Sequence, residues 1–452
     1  MLAFVGRYLS ISIAAALLAG CGAAQPPMDA PSFAFVPARQ NIQHIVIVIQ
    51  ENRTLNNLFY GFPGAMTVAY GYNSEGQKIA LKPVTLATTW DLSHSLSDFL
   101  KDCNGSGKVL GTRCLMNGFN HETWSCGASG GPKCPNKNPP YSYVPHSETK
   151  PYFFIGKHYV LADQMYASDL DGSSFVSHQY VIAGQAEMSY GSPTGGWGCP
   201  DPNSYILTLT RGWRRAGERA AGSEIPLCWS DKTLGDEMDD AGLSWAYYAS
   251  QYYGDGGLWS AYQNIRQIYN GLDWTKDVIS PQTDFFDDVS NGKLRDVSWI
   301  TPTCENSDHP ACGSKTGPSW VASIVNAVGE SKYWDSTAIF VFWDEWGGWY
   351  DPEAPKKVDY DGLGFRIPML VVSAYAKQGY VSHTRYEHGS ILRFVEDTFG
   401  LGHLAASDRR ATPPDDAFDF NAPPRKFEIV PADYDVNYFK HQKPDHRIPD
   451  AQ

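Results

Sequence analysis

An unbroken run of five β-branched residues at 45–49 (IVIVI) constrains the fold of this 452-residue chain more than any other feature. A strand with one solvated face alternates apolar and polar residues, so this run predicts a strand that is covered on both faces, as in a parallel sheet. Apolar runs at 338–343 and 367–373 have the same character, and helical patterns at 319–328 and 389–399 lie between and after them. Strands that alternate with helices indicate an α/β fold with a layered sheet.

Polar residues directly follow two of the predicted strands. The segment QENR (50–53) comes after the first run, and Asp344 and Glu345 come after the run 338–343. Ligands of α/β proteins bind at the carboxyl ends of strands. Carboxylate and amide oxygens suit divalent metals, arginine suits phosphate, and two adjacent acids repel each other unless a cation or a proton lies between them. On the pattern alone, an ordinary polar turn stays an alternative at both places.

Histidines and hydroxyl groups in other segments are further candidates. His388 precedes the helical pattern 389–399, where free backbone N–H groups can face an anion, and the stretch 171–178 combines serines with a histidine. His94 and His309 lie in loops, and a turn or core role stays an alternative for each of these segments. The chain has no G-x-S-x-G and no H-E-x-x-H, which argues against a serine esterase of the α/β-hydrolase type and against a zincin.

The amino terminus resembles the leader of an exported bacterial lipoprotein. After a positively charged start comes an apolar stretch of about a dozen residues, too short for a bilayer, which takes roughly 20. The stretch ends in Leu-Ala-Gly followed by Cys21, the position that is lipidated in such proteins. We therefore expect a signal peptide at 1–20, a tether at 21–40, one large domain at 41–452, and a location in the periplasm or outer membrane of a Gram-negative bacterium. An ordinary secretory signal is the alternative.

The chain has nine cysteines, so eight remain when Cys21 is set aside. An even number in an exported chain predicts disulfides. Sequence neighbours suggest the pairs Cys103–Cys114, Cys126–Cys134, Cys199–Cys228 and Cys304–Cys312, and other pairings remain open. Most lie in the glycine- and proline-rich middle, about 100–230, which we expect to be a loop-rich insertion or cap. The net charge of −13 argues against nucleic acid as a partner.

Three segments of the chain, in order, resemble the bacterial phosphoesterase family that contains phospholipases C and acid phosphatases. They are HIVIVIQENRTLNNLF (44–59), FWDEWGGWYDP (342–352) and RIPMLVVSAYAKQGYVSHTRYEHGSILRFVEDTFGL (366–401). The resemblance covers most of the expected domain. It implies an α/β fold of the alkaline phosphatase-like superfamily, a three-layer α/β/α sandwich, here with a loop-rich insertion stapled by disulfides.

The same resemblance implies roles for individual residues. The metal ligands would be Glu51, Asn52, Asp344, Glu345 and Ser174. Ser174 would also be the nucleophile that forms a covalent phosphoserine, with Ser173 as its rival. Asn52 and Arg53 would bind the substrate. The histidines that face the phosphate and the leaving group would be His94, His309 and His388.

The expected function is metal-dependent hydrolysis of phosphate esters by the domain at 41–452. The cofactor would be one divalent metal ion, because a second histidine-rich site is not evident, and the substrate a small phosphate ester or a phospholipid. Departures from the family pattern, such as Pro352 in place of a histidine, bear on headgroup specificity. The short segment after the last motif favours an acid-phosphatase-like enzyme. Phospholipase C is the alternative enzyme, and a catalytically silent, lipid-anchored binding protein is the alternative of another class.

Overall fold

The computed structural model of the protein describes residues 39, 41–127, 131–209, 221–250, 258–445 and 447. The expected signal peptide, Cys21 and nearly all of the tether lie outside these residues, so leader, lipidation and domain boundary stay predictions. Among the helices of the described ranges, none combines the length and the apolar character needed to cross a membrane.

The secondary structure of the described ranges mixes strands and helices along the whole chain. The strands are β1 His44–Gln50, β2 Tyr70–Tyr72, β3 Lys78–Ala80, β4 Lys82–Pro83, β5 Ser142–Tyr143, β6 Val160–Tyr166, β7 Ser189–Thr194, β8 Tyr205–Leu209, β9 Ala221–Pro226, β10 Trp245–Tyr248, β11 Val278–Ile279, β12 Val297–Ile300, β13 Thr337–Trp343, β14 Arg366–Ser373, β15 Tyr380–Ser382 and β16 Tyr386–Glu387. The helices are α1 Leu55–Leu58, α2 Leu96–Cys103, α3 Lys150–His158, α4 Ser174–Ala183, α5 Leu234–Ala241, α6 Arg266–Tyr269, α7 Asp273–Lys276, α8 Asp284–Ser290, α9 Gly317–Gly329, α10 His388–Phe399, α11 Ala406–Arg410 and α12 Val436–His441.

A nine-stranded sheet with the order β11-β10-β12-β1-β13-β14-β6-β15 forms the centre, and β16 pairs with the end of β6. The three strands predicted from apolar runs are confirmed as β1, β13 and β14. Both neighbours of β14 pair with it in the antiparallel direction, and the other pairs of this sheet are parallel. The sequence did not predict this reversal, because a strand buried on both faces is equally apolar in either direction.

Helices cover both faces of the sheet. Phe340 and Trp343 of β13 lie an odd number of positions apart, so their side chains point to opposite faces. The ring of Phe340 lies 5.0 Å from that of Phe394 in α10, and the ring of Trp343 lies 5.0 Å from that of Tyr152 in α3. The expected three-layer α/β/α sandwich is therefore confirmed.

The middle of the chain contains both a stapled insertion and part of the core. The four disulfides form between sequence neighbours as predicted: Cys103–Cys114, Cys126–Cys134, Cys199–Cys228 and Cys304–Cys312. A separate three-stranded sheet of β7, β8 and β9 lies in this region. The same region also supplies α4 and the core strand β6, whose polar residues Asp163 and Gln164 interrupt the apolar run that would have marked it.

Candidate active site

The ends of β1 and β13 bring two carboxyl groups together. The register pairs Gln50 with Trp343, so the residues that follow, Glu51 and Asp344, leave the sheet side by side. The backbone N–H of Asn52 donates to Asp344 Oδ1 at 2.9 Å and fixes this arrangement. Asn52 has a φ of 57°, a left-handed conformation that asparagine adopts more readily than most residues.

His178 of α4 completes this first cluster. Its Nε2 lies 3.0 Å from Glu51 Oε1, and one ligand atom from each of Glu51, His178 and Asp344 lies within 4.8 Å of the others. All three side chains are buried. His178 belongs to the candidate stretch 171–178 but was given no role, although its spacing of four from Ser174 could have indicated that the two share one helix face.

The cluster has the properties of a divalent cation site. Burial raises the pKa of Asp344 well above its usual value, and the neighbouring Glu51 carboxylate raises it further. Among the described residues, no group donates a hydrogen bond to Asn52 Oδ1 or to Asp344 Oδ2, although both atoms are buried. Oxygen donors left open beside two buried acids are what a hard or borderline divalent ion requires. Glu51, Asn52 and Asp344 therefore fit the expected metal.

Ser174 is the first residue of α4 and lies one turn before His178 on the same face. Its Oγ is buried and has no hydrogen-bond partner within the described part of the chain. The hydroxyl of Ser173, in contrast, donates to the carbonyl oxygen of Gly191 at 2.9 Å. Of these two serines, only Ser174 has a hydroxyl oxygen that is not engaged by a described residue. The role of Ser174 as the nucleophile stays a prediction.

A second cluster adjoins the first through Asn52, whose Nδ2 lies 3.2 Å from His94 Nε2. His94 Nδ1 lies 3.8 Å from Glu345 Oε1, so the predicted ligand Glu345 contacts His94. The rings of His94 and His309 are 6.1 Å apart, and the two residues form a possible ligand group with Asp91. The structure therefore brings His94, His309 and Glu345 together at one side of the site. The number of ions bound stays a prediction.

The loop that carries His309 is held at several points. The Cys304–Cys312 disulfide closes it, and Asp308 Oδ2 accepts hydrogen bonds from Tyr152 Oη at 2.7 Å and from Trp343 Nε1 at 2.9 Å. Burial raises the pKa of Asp308 to about 6. The loop is thereby attached to the end of β13, beside Asp344.

The guanidinium of Arg53 binds this loop and two neighbouring segments. Its Nε donates to the carbonyl oxygen of Asp308 at 2.8 Å, its Nη1 to Asn57 Oδ1 at 3.3 Å, and its Nη2 to the carbonyl oxygen of Leu86 at 3.2 Å. The guanidinium also lies over the ring of Trp349, and burial lowers its pKa to about 10. Each of its nitrogens is engaged within the protein. Its predicted contact with substrate stays a prediction.

His388, the third predicted histidine, begins α10 and is fully buried. Burial, together with the nearby His178, lowers its pKa to about 3. The imidazole is therefore neutral at ordinary pH. The backbone N–H of Ser168 lies 3.4 Å from His388 Nδ1, which fixes the ring beside the first cluster.

Comparisons with known proteins show which proteins this chain resembles. A model of the Phosphoesterase family matches residues 42–402. The chain is 26% identical over 483 residues to the non-hemolytic phospholipase C of Burkholderia pseudomallei, a match that covers 92% of this chain and 65% of that protein. It is also 26% identical over 463 residues to phospholipase C B of Mycobacterium tuberculosis, covering 85% of this chain and 79% of that one.

Other matches are more distant or cover less of the partner. The hemolytic phospholipase C of Pseudomonas aeruginosa is 25% identical over 420 residues, covering 80% of this chain and 53% of that protein. The chain thus spans less than two thirds of the Burkholderia and Pseudomonas proteins. Among solved structures, an alkaline phosphatase superfamily protein from Vibrio parahaemolyticus matches with a TM-score of 0.38 and 10% identity, covering 83% of this chain and 72% of that one.

Proposed function

The chain belongs to the Phosphoesterase family, a family of phosphoric ester hydrolases, and on this premise we propose that it cleaves phospholipid headgroups in the manner of a phospholipase C. The observation that carries the proposal is the buried Ser174 Oγ, which has no hydrogen-bond partner in the described residues and lies on the same helix face as His178. The names of the matched relatives support a phosphodiester substrate.

In the proposed reaction, Ser174 Oγ attacks phosphorus, and the bond from phosphorus to the glycerol oxygen breaks. When bound at Glu51, Asn52 and Asp344, a divalent cation would activate this hydroxyl and offset negative charge on the phosphoryl oxygens. His178 orients the Glu51 carboxylate through their 3.0 Å contact. Water then attacks the phosphorus, which carries both Ser174 and the headgroup. The bond from phosphorus to Ser174 Oγ breaks, Oγ takes up a proton, and the phosphorylated headgroup is released.

The histidines of the second cluster would act on the phosphoryl group and the leaving oxygen. His94 and His309 can donate hydrogen bonds to phosphoryl oxygens, and one of them can protonate the departing alkoxide. His388 can take part only as a neutral imidazole, because burial holds its pKa at about 3. We therefore assign the positive charge that binds the phosphate to the cation.

The choice between diester and monoester is tested by comparing two chromogenic substrates with divalent metal supplied. We expect kcat/KM for p-nitrophenyl phosphorylcholine to exceed that for p-nitrophenyl phosphate by roughly tenfold or more, since a site that binds a headgroup loses those contacts with a bare phosphate. Phosphatidylcholine vesicles should release phosphorylcholine. A preference for p-nitrophenyl phosphate would favour the acid-phosphatase-like function expected from the sequence. Inactivity on all three substrates would favour a silent binding protein.

Export is part of the proposal, with lipidation at Cys21 as the expected anchor. Four disulfides in the described structure support export, because such bonds form and persist mainly in oxidising compartments. The protein would then act on phospholipids at the cell envelope, where its substrate is close.

The disulfide beside His309 should matter for activity as well as for stability. Replacing Cys304 and Cys312 with serine is expected to lower the free energy of unfolding by about 2–3 kcal/mol, from the loss of an eight-residue loop closure. It should also lower kcat by roughly 10–100-fold, because small displacements of a catalytic group are costly. Calorimetry and steady-state kinetics give the two values.

The matched control replaces Cys103 and Cys114, which close a loop of similar length, 11 residues, at the end of α2. This variant should lose similar stability and keep most of its kcat. Equal losses of kcat in both double variants would mean that the 304–312 bridge has no special role in placing His309.

A further inference from the structure

A third group of acids with a histidine lies at the carboxyl end of α10, apart from the first and second clusters. One ligand atom from each of Glu396, His403 and Asp408 lies within 4.8 Å of the others. Glu396 Oε2 is 2.6 Å from His403 Nδ1. The side chain of Glu396 is fully buried, Asp408 is buried as well, and that of His403 is 27% exposed. Glu396 is eight residues beyond His388, about 12 Å along the helix.

Two buried carboxylate oxygens beside this group accept no hydrogen bond from any described residue. They are Glu396 Oε1 and Glu237 Oε2. Glu237 of α5 lies next to the loop that carries His403. Its Oε1 is 3.0 Å from the position that a Cβ atom would occupy at Gly402. Burial, followed by the nearby carboxylates of Asp408 and Glu237, raises the pKa of Glu396 to about 9.

The surrounding positive charge is small. Lys232 lies 3.7 Å from Glu237 Oε1, but its side chain is 54% exposed. Asp408 is held rigidly, because its two oxygens accept hydrogen bonds from the backbone N–H groups of Leu404 and Ala405 at 2.7 and 2.8 Å. Three acids and one imidazole thus converge, with one open oxygen on each of Glu396 and Glu237 and little compensating charge, which is an arrangement that a cation stabilises.

We propose that Glu396, His403 and Asp408, with Glu237 as a fourth ligand, bind a structural divalent cation that is separate from the one at the active site. A set of carboxylates with one imidazole suits a borderline ion such as Zn²⁺ or Mn²⁺. This site does not depend on the proposed phospholipase activity, because none of its ligands belongs to the clusters around Ser174.

The ion would connect the end of α10 to α11 and thereby support the start of α10. Arg410, on the same short helix as Asp408, binds Glu387 through Nε at 2.8 Å and Nη2 at 2.6 Å. Glu387 directly precedes His388. A cation at Glu396 and Asp408 would therefore hold α11 in the position from which Arg410 fixes the residue next to His388.

Metal stoichiometry tests the proposal. The full-length protein is stripped with a chelator, titrated with MnCl₂ in a calorimeter, and analysed for bound metal after dialysis. We expect about two Mn²⁺ per chain for the wild type, about one for Asp344→Asn, and about one for His403→Ala. In the Asp344→Asn background, adding Mn²⁺ should raise the Tm, and adding His403→Ala or Glu396→Gln should remove most of this rise.

The matched control is His158→Ala. Like His403, His158 is partly exposed, at 29%, and pairs with one glutamate, Glu428, at 3.6 Å. This variant should bind the same amount of Mn²⁺ as the wild type. The proposal is overturned if Asp344→Asn binds no Mn²⁺, or if His403→Ala and Glu396→Gln leave the stoichiometry unchanged. Glu396 would then share a proton with Asp408 instead of binding a metal. His403→Ala alone decides the outcome if Glu396→Gln does not fold.

Discussion

Replacing Ser174 with alanine is expected to lower kcat for phosphoester hydrolysis by roughly 10⁴–10⁶-fold, the range found when a catalytic nucleophile is removed. The Oγ of Ser174 has no hydrogen-bond partner in the described residues, so its loss removes no hydrogen bond between described residues. The Tm should therefore change little, and so should KM where it can be measured. The measurement is the steady-state rate on p-nitrophenyl phosphorylcholine, with the folded state checked by circular dichroism.

The neighbouring serine is the matched control for this prediction. Ser173 donates a hydrogen bond to the carbonyl oxygen of Gly191, so Ser173→Ala should cost about 1 kcal/mol of stability and leave kcat within a few fold of the wild type. The opposite result, an active Ser174→Ala and an inactive Ser173→Ala, would transfer the nucleophile to Ser173. After acid quenching with substrate radiolabelled in the phosphorylcholine group, the wild type and Ser173→Ala should carry phosphorylcholine on Ser174, and Ser174→Ala should carry no label.

Much of the sheet could be predicted from the sequence because burial on both faces leaves a direct trace. The runs that became β1, β13 and β14 are apolar at nearly every position. Strand β6 was missed because Asp163 interrupts it, and this carboxylate binds the backbone N–H of Met66 and the imidazole of His383. A strand whose polar residues are satisfied by tertiary partners carries no local signal of its burial.

The residues of the candidate site also differ in how far the sequence could predict them. Glu51 and Asp344 could be found from their position at strand ends, and the register places them together. His178 carried a weaker signal, its spacing of four from Ser174, because every residue of α4 is buried and the helix has no exposed polar face. Its contact with Glu51 joins residues 127 positions apart and depends on the packing of α4 against the sheet.

The disulfides were predictable for a different reason. Three of the four close loops of 8 to 11 residues, and partners that are this close in sequence meet with little cost in chain entropy. Their effect on the site was less evident. That the 304–312 bridge encloses the loop of Asp308 follows from the sequence, but the hydrogen bonds of Asp308 to Tyr152 and Trp343 require the folded sheet.

The second large effect is expected when the carboxylate of Asp344 is removed. Asp344→Asn keeps an oxygen that can accept the hydrogen bond from the Asn52 N–H, but it loses the charge that would hold a cation. We expect kcat/KM to fall by roughly 10³-fold or more, since a bound ion contributes several kcal/mol to such reactions. Bound metal, measured by elemental analysis, should fall by about one equivalent per chain, and excess Mn²⁺ should restore little activity.

The stability of the metal-free proteins should not follow the loss of activity. Without a cation, the buried Asp344 carboxylate faces Glu51, and its raised pKa means that the charged form is unfavourable in the folded protein. Metal-free Asp344→Asn should therefore be at least as stable as the metal-free wild type in urea unfolding. Added Mn²⁺ should stabilise the wild type more than the variant. A clear loss of stability in metal-free Asp344→Asn would indicate a structural role for this acid.

Asp351, seven residues later in the same loop, supplies the contrast. Its carboxylate is fully buried and paired with Arg366, whose Nε and Nη2 donate to it at 3.1 Å. Asp351→Asn leaves a buried guanidinium without its counter-charge and should cost about 3–5 kcal/mol of stability at any metal concentration. Two buried acids of one loop should thus respond in opposite directions, because Asp351 already has its cation within the protein and Asp344 takes its cation from solution.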